Sequence, residues 1–175
     1  MTIMDKLVTA SEALFDRHGF TATGMDKLTK GAGISSRTLY KHAGSKNALI
    51  ARVLGERDKR FARRLEVESI DALFRALEDW VRVEGRRGCL FLRALGETGS
   101  DTPEIVDAVL AHKARVRERI QALVSADTGT QGDPMLAEQI LVLFEGATAA
   151  AVYHGVEAVT AARHAAVTLL TRTPS

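Results

Sequence analysis

Apolar residues recur along almost the whole chain at the three-and-four spacing of one helix face, and β-branched residues seldom alternate with polar ones. Ile3, Leu7, Ala10 and Leu14 mark a first helix that ends at His18-Gly19. Thr23 precedes a short helix with Met25 and Leu28 inward, closing near Gly31 to Gly33, and its spacing from Asp26 suits a capping box. Ser35 or Ser36 can cap another short helix carrying Leu39. Ser45 can cap a longer one through Leu49, Val53, Leu54 and Phe61. Ile70, Leu73, Phe74, Leu77, Trp80 and Val81 give a strong stripe, broken at Gly85 to Gly88. Leu90 to Leu95 form a shorter helix, followed by a Gly99-Ser100-Asp101 loop. A long helix through Ile105, Val109, Val116, Ile120 and Leu123 ends near Ala126, and residues 127–133 read as a loop. Leu136, Ile140, Leu143, Phe144 and Ala147 line the next helix, and the last runs from about Val156 to Leu170. Pro103 and Pro134 stand just before two of these runs, where proline suits a first helical turn. The expected fold is therefore all-α, with about nine helices.

Composition narrows the function classes. Among 175 residues, 46% are hydrophobic and 26% charged, so there is enough apolar surface for a packed core. No run is read as approaching the roughly 18 to 20 apolar residues that span a bilayer, so no membrane partner is expected. Asp5 and Glu12 interrupt the N-terminal stretch, unlike a signal peptide. Cys89 stands alone and can form neither an internal disulfide nor a cysteine-rich zinc site. The chain reads as cytoplasmic. Its charge is uneven: residues 1–64 hold 13 Lys/Arg and 6 Asp/Glu, whereas residues 65–175 hold 11 and 16. A basic N-terminal third can meet a polyanion, and the acidic remainder should not.

The informative stretch is TGMDKLTKGAGISSRTLYKHAGSKNAL, Thr23 to Leu49. It reads as helix, tight glycine turn, helix, loop, helix. Gly33 stands where the chain turns sharply, and glycine permits the backbone angles required. With Ile34 and Leu39 packed inward, Ser35, Ser36, Arg37, Thr38, Tyr40, Lys41 and His42 remain largely outward. Such a row of donors suits a helix that reads base edges and phosphates in a major groove. Arg37 is the best candidate for reading guanine, because arginine forms bidentate bonds to that base. At the start of the following helix, Lys46 combines its charge with free backbone N–H groups and can hold a phosphate.

Residues 6–54 resemble the DNA-binding domain of TetR-type transcriptional regulators. The resemblance is carried by Ala10, Leu14, Phe15, Gly19 and Phe20, then by Thr23, Leu28, Ala32-Gly33-Ile34-Ser35, Thr38-Leu39-Tyr40, Ser45-Lys46 and Leu49. It implies an N-terminal helix-turn-helix domain over residues 1–46 and a ligand-binding and dimerisation bundle over 47–175. It implies phosphate contacts for Tyr40 and Lys46, and a recognition surface of Ser35, Ser36, Arg37, Thr38, Lys41 and His42. It gives Thr23 a role in capping the second helix and touching the DNA backbone. Ala43, where an aromatic residue is common, and Asn47, where an acidic one is common, depart from the pattern without removing a DNA-contacting group.

For the C-terminal part, the resemblance implies a small-molecule effector of unknown identity. An apolar pocket lined by Trp80, Cys89, Phe91, Leu95, Val109, Phe144 and Tyr153 would hold it, with Arg93, His112, Glu145 or Thr148 as polar anchors. Small residues in Gly146 to Ala151, at Ala161-Ala162 and at Ala165-Ala166 let helices approach closely, which suits a homodimer. The implied function is a ligand-responsive regulator, a repressor that binds a palindromic double-stranded DNA operator in the nucleoid as a homodimer. No cofactor, metal or catalytic residue is expected: the five histidines form no two-histidine pair on one helix face, and HExxH, GxSxG and phosphate-loop patterns are absent. The alternative is a helical interaction module with only non-specific DNA affinity, which would depend on salt and not on sequence.

Overall fold

In a computed structural model the chain is described over residues 2–129 and 133–172, and every regular element among them is an α-helix. The helices are α1 (Ile3–His18), α2 (Met25–Ala32), α3 (Ser36–Ala43), α4 (Lys46–Arg64), α5 (Ile70–Val83), α6 (Leu90–Thr98), α7 (Pro103–Thr128), α8 (Pro134–His154) and α9 (Val156–Arg172). The expected helix order is therefore present. α7 runs two residues past its expected end, and residues 130–132 of the expected loop lie outside the described residues.

Local chemistry explains most boundaries. Thr2 and Asp5 form a reciprocal capping box at the start of α1, and the Thr2 backbone N–H holds the Asp5 carboxyl below its ordinary pKa. Asp133 accepts the Met135 N–H, and Pro134 occupies the first turn of α8. The expected Thr23–Asp26 capping box is not formed. Gly24 is the N-cap of α2 and provides no side-chain bond. The fully buried Thr23 instead donates its hydroxyl back to the Gly19 carbonyl at 2.7 Å.

The chain divides into two compact units, Met1–Lys59 with Leu90–His112, and Arg60–Cys89 with Lys113–Ser175. In the first, α1, α2 and α3 pack together around fully buried Phe15, Phe20, Leu28 and Leu39, with the Phe15 and Phe20 rings stacked at 4.8 Å. α6 also belongs to this unit. Arg93 pairs with Asp16 and donates to the Phe15 and Asp16 carbonyls at the end of α1. Such donors satisfy carbonyls that a helix C-terminus leaves without a partner.

In the second unit α9 packs along both α8 and α5. Its core contains an aromatic cluster: Phe61 meets Trp80 at 5.0 Å and Phe144 at 6.4 Å, and Phe74 meets Phe144 at 5.8 Å. Arg119 donates to the carbonyls of Leu65 and Val67, and Asp127 accepts the N–H of Ile70 at the start of α5. The expectation that no segment is apolar enough for a bilayer needs correction at α8. By length and composition this helix qualifies, with a mean hydropathy of 1.5 over its most apolar window. It nevertheless carries Glu138 and Glu145, paired with Arg117 and Lys113, while Leu136, Ile140 and Phe144 enter the core.

Candidate nucleic-acid interface

The α2–α3 turn is built by three successive backbone and side-chain devices. Gly33 adopts left-handed angles (φ 64°, ψ 36°), and its N–H reaches back to α2. The Ile34 N–H then bonds the Thr29 carbonyl at 3.1 Å. Ser35 follows in an extended conformation, and its hydroxyl accepts the Thr38 N–H at 3.1 Å and lies 2.9 Å from the Thr38 hydroxyl. These bonds set the direction in which α3 leaves the turn.

α3 buries Leu39 completely and exposes Ser36, Arg37, Tyr40, Lys41 and His42; Thr38 is half-buried. Tyr40 is 52% exposed, so its ring is not a core member. Gly44 ends the helix at φ 75°, and Ser45 caps α4 by accepting the Ala48 N–H. Lys46 follows immediately. Partial burial lowers its pKa, and the negative charge of Glu97 acts in the opposite direction. The expected set is thus assembled on α3 and the first residue of α4. Thr23 is separate from it: its hydroxyl is engaged with Gly19 and the residue is buried, which makes it a positioning residue.

Sequence reasoning missed Glu97. Its carboxylate accepts the Phe20 and Thr21 N–H groups at 2.7 and 2.9 Å, and its carbonyl accepts the Thr21 hydroxyl. Glu97 therefore holds the turn between α1 and α2 and adds negative charge to the surroundings of Lys46. No local pattern around residue 97 announces partners more than seventy positions away.

The six expected ligand-binding residues fall into two groups. In the second unit, Trp80 and Phe144 belong to the aromatic core. Thr148 bonds its own helix at the Phe144 carbonyl. Cys89 is half-buried beside Gly88, which lies against Val152. In the first unit, Phe91 stacks flat on His112 at 3.7 Å, and His112 Nδ1 lies 2.6 Å from the Asp58 carboxylate. Of the other anchors considered, Glu145 is paired with Lys113 and Arg93 with Asp16. Three hollows lie on the second unit, of about 760, 490 and 470 Å³, and of the residues expected to line the effector pocket Tyr153 alone borders one of them, the last. Among the described residues no His, Cys, Asp and Glu side chains gather into a metal-binding group.

Residues 7–53, which contain the whole turn and α3, match the sequence profile of "Bacterial regulatory proteins, tetR family". This segment is a TetR-type regulatory domain. The likeness of fold extends beyond the matched segment. The TetR-family transcriptional regulator SCO4454 of Streptomyces coelicolor superposes with a TM-score of 0.87 at 24% identity, over 97% of this chain and 94% of that one. The candidate TetR-type regulator sav143 of Streptomyces avermitilis gives 0.75 at 25% identity, over 95% and 99%. A TetR transcriptional regulator of Legionella pneumophila gives 0.79 at 18% identity, over 96% and 97%. No functionally curated protein is similar to the chain by sequence. TetR-family proteins are transcriptional regulators and not enzymes, and the helix-turn-helix of this chain is their DNA-binding element.

Proposed function

We propose that this protein is a repressor that binds a palindromic operator as a homodimer and leaves it when a small molecule binds. The observation that carries this reading is the exposed row on α3, held in a fixed direction by the Gly33 turn and the Ser35 cap. Arg37 reads guanine, while Tyr40 and Lys46 hold phosphates on either side of the contact. Ser36, Lys41 and His42 complete the surface. Ser35 and Thr38 contribute mainly by fixing α3, since their hydroxyls already bond each other. On this reading residues 1–46 are the DNA-binding domain, residues 47–175 serve ligand binding and dimerisation, and the protein acts on the nucleoid in the cytoplasm.

A second copy is supported by the outer face of α8 and α9. Met135 and Val142 are 65% and 64% exposed, and open apolar grooves run along this face beside Gly146, Ala150, Ala161 and Ala165. Small side chains permit close helix approach, and a two-fold pair would make a four-helix contact. Two α3 helices would then enter successive major grooves, roughly 34 to 36 Å apart. An effector releases DNA only by its differential affinity for the two conformations of the dimer.

The test is selection of genomic DNA fragments by the purified protein at near-physiological salt, with Tyr40→Ala in parallel. A short palindrome recovered by the native protein and lost in the folded variant is the expected result. Recovery of sequence-independent fragments alone would sink the proposal.

A further inference from the structure

We propose that the second unit carries a binding site for a monocarboxylate with an apolar body, in the cavity where the end of α5, the end of α8 and the α8–α9 turn meet. The cavity is about 470 Å³. Its apolar wall includes Val81, which is buried, and Val152, which is 53% exposed, together with Val156. Arg82 and Arg86 supply its positive side and Glu157 its one carboxylate. Of the cavity's lining residues, the 80% exposed Tyr153 alone belongs to the expected effector pocket.

The two arginines are not equivalent. Arg86 Nε donates to the Arg82 carbonyl at 3.2 Å, one turn back along the chain. That bond orients one edge of an exposed guanidinium, and among the described residues its two terminal amino groups have no hydrogen-bond partner. A guanidinium oriented in this way, with both terminal groups available, is suited to a carboxylate, which it can hold through two parallel bonds. Arg82 bonds Asp79 at 3.0 Å, but both side chains are more than half exposed. Exposed pairs of this kind contribute little, so Arg82 can turn toward a second anion at small cost.

Glu157 restricts the ligand's charge. It lies in the first turn of α9, with an oxygen 3.0 Å from where a side chain on Gly155 would begin. The lining residues supply two guanidinium groups and one carboxylate, a net charge of +1 that matches a single negative charge once Arg82 leaves Asp79. The valines take up the remainder of the ligand, since burying apolar surface adds roughly 25 cal/mol per Å². A polyanion would meet Glu157, and a neutral molecule would leave Arg86 unanswered.

The probe is 1-naphthoate, titrated calorimetrically into the full chain without DNA. The neutral alcohol 1-naphthalenemethanol and inorganic phosphate serve as controls. The expected result is saturable binding of one naphthoate per chain, at least tenfold weaker binding of the alcohol, and no saturation by phosphate. Arg86→Gln should weaken naphthoate binding at least tenfold and Arg82→Gln should weaken it less, with both variants melting like the native protein. Absence of saturable naphthoate binding would overturn the proposal. So would equal affinity for the alcohol, saturation by phosphate, or unchanged affinity in both variants. Because no DNA is present, failure here and failure of the operator reading are separate results.

Discussion

Lys46 shows how one position serves two opposed demands. Partial burial at the start of α4 disfavours its charge, and this penalty applies throughout the pH range in which the side chain stays protonated. Because the folded pKa lies below the unfolded one, the penalty disappears only as pH rises above the unfolded value. A phosphate would offset the penalty. Lys46→Ala should therefore leave the free protein at least as stable in a urea melt, yet weaken operator binding about tenfold for each half-site, where one charge-assisted contact is lost. Unchanged operator affinity would remove Lys46 from the phosphate contacts. The same scale shows how far single residues could be read. Tyr40 and Arg37 emerged as exposed because Leu39 fixes the helix phase between them. Thr23 was misread as a cap because the capping pattern cannot tell whether a hydroxyl bonds forward to the helix or back to the preceding turn. Here it bonds back to Gly19.

At the scale of elements, α2 and α3 depend on a single backbone position. Gly33 has a positive φ, and a side chain placed there would meet no atom within 4 Å. Any cost of substitution therefore comes from the backbone alone. Gly33→Ala should destabilise the protein by about 1 kcal/mol, the penalty of the left-handed region, whereas Gly33→Asn should lose less because asparagine tolerates it. Chemical denaturation of the two variants checks this, and equal losses would mean that sterics and not backbone angle control the turn. α8 carries the opposite lesson. Its composition passes for a membrane span, and only the burial of Leu136, Ile140 and Phe144 beside paired Glu138 and Glu145 shows a helix with one core face.

For the whole molecule, the proposed homodimer makes the exposed side of α8 its most sensitive surface. Val142 is 64% exposed, so a charge there costs the monomer little. Val142→Glu should leave helicity and melting of the isolated chain nearly intact, shift sedimentation toward monomer, and reduce operator affinity. Like charges facing across a two-fold axis would each lose hydration without gaining a partner. A variant that sediments as the native protein does would show that the pairing surface lies elsewhere.

The all-α class, the helix order and the exposed surface of α3 were legible in the sequence because their causes are local. Helical periodicity, glycine turns and serine caps act within about four residues. The tertiary structure alone placed Glu97 on the Phe20 and Thr21 amides, Phe91 on His112, and residues 90–112 in the same compact unit as the N-terminal helices. It also placed Arg82 and Arg86 at a cavity beside Val152 and Val156. These partners are separated by tens of residues along the chain. Their meeting depends on how helices pack and which side chains fill the same space, and no short-range sequence pattern encodes it.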